Sequence, residues 1–79
     1  MTSPEEIRRR IVAALPSARV DVADTTGAGD HFDVRVTAPA FAGKGLVEQH
    51  RLVYGALGDL MREVHALSLH TRAPEESAP

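Results

Sequence analysis

Seventy-nine residues, a formal charge of −2 and no cysteine set tight bounds on what this chain can be. The length fits one domain, residues 1–79, with a thin core, because a chain this short buries only about 60% of its unfolded surface. Disulfides and thiolate zinc sites are excluded, and the nine basic residues lack the excess that strong non-specific nucleic-acid binding wants. No stretch approaches the roughly 20 apolar residues of a membrane span. Residues 1–10 are polar and charged rather than signal-like, so the expectation is a soluble cytoplasmic protein.

Ser3-Pro4-Glu5-Glu6 opens a first helix: Ser3 caps, Pro4 suits the first helical position, and Glu6 completes a capping box. Ile7, Ile11 and Leu15 then recur every four residues, which places Arg8, Arg9 and Arg10 toward solvent, and Pro16 ends the helix. From Ala18 to Asp24 the period changes to two, with Val20 and Val22 on one face. Thr25-Thr26-Gly27-Ala28-Gly29-Asp30 reads as a turn. Alternation then resumes with Phe32, Val34 and Val36 inward, which together predicts an antiparallel hairpin.

Pro39 stops the second strand and a loop follows to Gly45, with a short turn at Ala40-Phe41-Ala42. A second helix is expected over about residues 46–62, with Leu46, Val47, Val53, Tyr54, Leu57, Leu60 and Met61 forming one broad apolar stripe. Gly55 and Gly58 inside it suggest close approach of another backbone, or are simply tolerated there. The last strand, about residues 64–72, alternates through Leu67 and Leu69, and residues 73–79 read as a flexible tail without apolar anchors. The order α-β-β-α-β predicts an α+β, two-layer domain with both helices on one face of a three-stranded sheet.

Four histidines are the candidates for chemistry, since neutral imidazole is the commonest metal ligand. His31 opens the second strand and points away from Phe32, toward the exposed side. His65 shares parity with Leu67 and Leu69, so part of it is expected to be buried. His50 falls in the apolar stripe and reads as a structural histidine bonded to loop backbone, whereas His70, of opposite parity to His65, reads as solvated. No nucleophile elbow, P-loop, dinucleotide fingerprint or G-x-x-G clamp is present, so the chain does not read as an enzyme. A zinc or copper site built from the histidines plus Asp30 would be sparse.

Four segments bring a resemblance with them: His31-Phe32-Asp33-Val34, then Pro39-Ala40-Phe41-Ala42-Gly43-Lys44, then His50-Arg51-Leu52-Val53-Tyr54, and finally Val64-His65-Ala66-Leu67-Ser68-Leu69-His70-Thr71. Their order and spacing over about residues 5–76 resemble the BolA family. The resemblance implies a class II KH-like fold. It also implies an adaptor for monothiol glutaredoxins bearing Cys-Gly-Phe-Ser, the pair holding a bridging [2Fe–2S] cluster with glutathione or associating without one, in iron–sulfur trafficking or iron sensing. By the same resemblance His31 and His65 are the candidate cluster ligands, and Phe41, Gly43, Lys44 and Arg51 present the partner-facing surface, although Phe41 as core and Lys44 as merely solvated is an equal reading. Imidazole on one iron, with partner and glutathione sulfur on the other, suits a chain without thiolates. The sequence departs from the family at Gln49, where many relatives have arginine, at His70 in place of lysine, and at Ala73 in place of threonine before Pro74. A transcriptional regulator binding DNA through the KH-like fold is the alternative; the charge and the first two departures weaken it.

Overall fold

The computed structural model describes residues 2–64 and 66–74. Helix α1 spans Pro4–Ala14, with the Ser3 hydroxyl accepting the Glu6 N–H at 3.1 Å. The reciprocal side-chain bond of a full capping box is not made among the described residues. Ile7, Ile11 and Leu15 are buried as the four-residue repeat requires. Arg10 departs from the expected solvent face: its Nη1 donates to the Leu57 carbonyl at 3.2 Å and approaches Asp59 at 3.6 Å, so it ties α1 to the end of the second helix.

Strands β1, Arg19–Asp24, and β2, His31–Thr37, form the expected antiparallel hairpin, with Val22 opposite Val34. Strand β3, Ala66–Arg72, pairs parallel to β2 on its other side, with Leu69 opposite Val34. The sheet is therefore mixed, in the order β1-β2-β3. Period-two alternation sends Phe32, Val34 and Val36 into the core, with Val20, Val22, Leu67 and Leu69 packed against it. The same alternation leaves a bare, polar second face. A 3-10 turn, Pro39–Phe41, follows β2, and helix α2, Leu46–Leu57, connects to β3.

Several expectations change. Helix α2 stops at Leu57 rather than 62, because Gly58 takes a φ of 53° as its cap and the chain tightens into a 3-10 helix over Gly58–Arg62. Gly58 thus serves a backbone conformation that glycine tolerates. Gly55 meets nothing within 4 Å of where a Cβ would stand, so the close-approach reading fails there. The apolar stripe is narrower than expected: Val53 and Leu57 are buried, but Leu46, Val47 and Tyr54 are exposed, which turns residues 47, 51 and 54 outward on one helical face. Strand β3 begins two residues later than expected. Ala73 packs on the core, so the expected tail has an apolar anchor at its start; residues 75–79 lie outside the described residues.

Phe41 was expected on a partner-facing surface or in the core, and it is in the core, 1% exposed. The 3-10 turn folds its ring beneath the sheet, so it cannot present a face to a partner. Truncating Phe41 to alanine is expected to cost about 3–5 kcal/mol in urea unfolding. Val47→Ala, on the exposed face of α2, is expected to stay within about 0.5 kcal/mol of the parent.

Candidate functional site

The loop between β1 and β2 is organised by one carboxylate. Asp24, the last residue of β1, accepts the N–H groups of Thr26 at 3.3 Å and Gly27 at 2.9 Å on Oδ1, and that of Gly29 at 3.0 Å on Oδ2. Gly27 and Gly29 adopt φ of 80° and 78°, the left-handed region that lets successive N–H groups converge on one anion. The Thr25 N–H and hydroxyl both donate to the His31 carbonyl, at 3.0 and 3.2 Å, and the Ala66 N–H donates to the Asp30 carbonyl at 3.0 Å. The backbone around His31 is therefore held from both neighbouring strands.

The side chain is held as well. His31 Nδ1 lies 3.0 Å from Asp30 Oδ1, and the same oxygen accepts the Thr26 hydroxyl at 3.0 Å. An ionised carboxylate only accepts, so Nδ1 carries the hydrogen in this contact, and the neutral ring has its lone pair at Nε2. The imidazole first, and then the Thr26 hydroxyl, hold the Asp30 carboxyl below its ordinary value. This carboxylate–histidine pairing is the arrangement that orients metal-ligating imidazoles. The donor chemistry of His31 thus fits a metal or cluster ligand.

His65, the second candidate ligand, lies outside the described residues. Among the described residues no three His, Asp or Glu side chains gather as a metal-ion set, so they do not assemble the self-contained zinc or copper site weighed above. His50 is half-buried and edge-on to Tyr54, with ring centroids 6.4 Å apart. Its Nε2 is buried without a hydrogen-bond partner, so the expected bond to loop backbone is not made. His70 is exposed, but it is not simply solvated: Nε2 lies 3.3 Å from Asp33 Oδ1. That contact is within ion-pair reach and lacks hydrogen-bond alignment, leaving the buried Asp33 Oδ1 unsatisfied.

Gly43, Lys44 and Arg51 are exposed, as a partner surface requires. They are not brought to His31. Gln49, in the first turns of α2, accepts the Thr71 hydroxyl at 2.7 Å and donates to the Lys44 carbonyl at 2.9 Å. The start of α2 is thereby tied to the C-terminal end of β3, while His31 sits opposite Ala66 at that strand's beginning. The seven residues of β2 between the two ends span about 20 Å. Sequence reading missed the roles of Asp24, Thr26 and Gln49. An Asp followed by Gly-x-Gly at a strand end was the available signal for the first.

The comparison with known proteins decides the family. The model of the BolA family, described as BolA-like protein, matches residues 8–76. The chain belongs to the BolA family. Among BolA relatives, Protein BOLA2 of Arabidopsis thaliana is 35% identical, with 100% of this chain and 87% of that protein covered. The DNA-binding transcriptional regulator BolA of Escherichia coli is 31% identical over 91% of this chain and 76% of its own length. A solved BolA homologue from Coxiella burnetii is 40% identical, superposes with a TM-score of 0.79, and covers 96% of both chains. The α+β arrangement of two helices on a three-stranded mixed sheet is accordingly the BolA fold, consistent with the KH-like expectation. Among the described residues no helix is long and apolar enough to cross a membrane.

A depressed carboxylate stabilises the fold above its unfolded value and loses that contribution as pH falls through the folded one. Carboxyl NMR titration should therefore place the Asp30 midpoint below the ordinary aspartate value of about 3.9. In Asp30→Asn the Nδ1–H preference of His31 should relax, read from its imidazole nitrogen shifts.

Proposed function

We propose that this chain is an adaptor, not a catalyst, that pairs with a monothiol glutaredoxin and co-ligates a bridging [2Fe–2S] cluster for iron–sulfur trafficking or iron sensing. The observation that carries the reading is the Asp30–His31 pair at 3.0 Å, an arrangement that favours the hydrogen on Nδ1 and leaves Nε2 as the donor atom for a metal. Membership of the BolA family supports it. So does the absence of cysteine, since thiolate ligands must then come from a partner or from glutathione. His31 and His65 are the residues that would hold the iron. Ala66, which follows His65 in the sequence, is the register partner of His31.

When bound, the cluster supplies an iron whose imidazole ligands raise its potential and release on protonation, because protons compete for the same lone pairs. The chain's own contribution is orientation. Asp24 shapes the loop, Thr26 and Asp30 fix the ring, and β2 anchors its backbone. Gly43, Lys44 and Arg51 supply a second, basic contact at the far end of the sheet, suited to carboxylates of the partner.

A regulator that binds DNA is the second reading, favoured by the name of the Escherichia coli relative. The charge of −2 opposes it. A gel shift with steep salt dependence would support it, and no binding at low salt would exclude it.

The adaptor reading is tested by mixing the chain with a monothiol glutaredoxin, glutathione, iron and sulfide. The expected product is a heterodimer whose visible spectrum differs from that of the glutaredoxin alone. His31→Ala and His65→Ala should each change that spectrum, and an unchanged spectrum in both would sink the ligand assignment.

A further inference from the structure

The bare face of the sheet is electrically divided. Toward the His31 end it carries Asp33, Ala23, Ser68 and Ala66; toward the other end it carries Arg19, Arg35, Arg72, Thr37 and His70, with Asp21. Register makes the second group a compact set. Arg35, on the central strand, has Asp21 and His70 as its direct neighbours, and Thr37 stands between Arg19 and Arg72 one row away. Rows on one face are about 7 Å apart along a strand and about 5 Å across, so the guanidinium groups of Arg35 and Arg72 can converge on one anion.

Two further observations favour a ligand. None of Arg19, Arg35 and Arg72 has a carboxylate within ion-pair distance among the described residues, even though Asp21 is the register partner of Arg35. A hollow of about 390 Å³ also opens at this end, lined by Asp21, Arg35, Thr37, His70, Thr71 and Arg72. Guanidinium groups that make no ion pair among the described residues, in a concave site beside a hydroxyl and an imidazole, are the donor set of phosphate recognition.

We infer that this hollow binds the phosphate group of a small phosphomonoester, held by Arg35 and Arg72 with Thr37 and His70 alongside. A polynucleotide is the poorer occupant. Asp33 sits on the same face one row beyond Arg35 and His70, and Asp24 and Asp30 lie farther on at the loop, so a continued run of phosphates would meet carboxylates. Asp21, which also lines the hollow beside Arg35, can accept a hydroxyl of the ligand.

The site is separate from the cluster ligands, so it is tested on the chain alone. Amide NMR shifts would be followed on titration with inorganic phosphate and with glycerol phosphate, against sodium chloride at matched ionic strength. Saturable shifts confined to residues 35–37 and 70–72 are expected. R35Q or R72Q should weaken binding about tenfold or more, the loss of a charge-assisted bond, while R9Q, on α1, should not. Arg72 is exposed at the end of β3, so R72Q decides the matter should R35Q fail to fold. The inference is overturned if chloride reproduces the shifts or if R9Q weakens binding equally. It is also overturned if a single-stranded oligonucleotide binds this face more tightly than glycerol phosphate does.

Discussion

The alternation along the central strand β2 couples the core of this protein to both of its candidate sites. Every second side chain, Phe32, Val34 and Val36, is buried against the helices, which forces His31, Asp33 and Arg35 to the opposite face. A slip of one residue would bury the charged set and expose the apolar one, so the register that folds the chain also aims the histidine. Pairing on both sides strengthens this constraint. Strand β1 fixes β2 through an antiparallel ladder and β3 through a parallel one, and His31 lies where all three meet the glycine loop.

That position explains how a small, thinly cored domain holds one imidazole in a defined orientation. The loop has no apolar anchor of its own. Its order comes from Asp24 gathering three N–H groups and from Asp30 bonding both Thr26 and His31. Carboxylates here replace the packing that a larger protein would use. The Asp30 contact orients the imidazole before any partner arrives, which lowers the ordering cost of binding.

Much of the fold is legible in the sequence because it rests on periodicity. The repeat of Ile7, Ile11 and Leu15 and the alternation of β2 each have one solution. Helix α2 was harder, since Leu46, Val47 and Tyr54 are as apolar as Val53 and only tertiary packing decides which of them is covered. Gly58 was visible, but its φ of 53°, which ends the helix, was not. Phe41 illustrates the same limit: a phenylalanine before a Gly-Lys pair suits an interface or a core equally well until the 3-10 turn is known. At the site, His31 could be read from strand parity and from the family resemblance. The Asp30 bond that selects its tautomer could not, because a bond between sequence neighbours depends on side-chain torsions that no pattern encodes.

The two ends of the bare sheet face do different work in this account. One holds an imidazole against a carboxylate; the other gathers guanidinium groups that make no ion pair among the described residues, with His70 between the two ends. The central claim concerns the first, that His31 Nε2 is a ligand atom lent to a shared cluster. Pulsed EPR on the reduced, cluster-bound heterodimer, with ¹⁵N-histidine in this chain only, tests it most directly. Strong nitrogen couplings that change with the isotope, and that lose the His31 contribution in His31→Ala, are expected. Couplings indifferent to the label would contradict it.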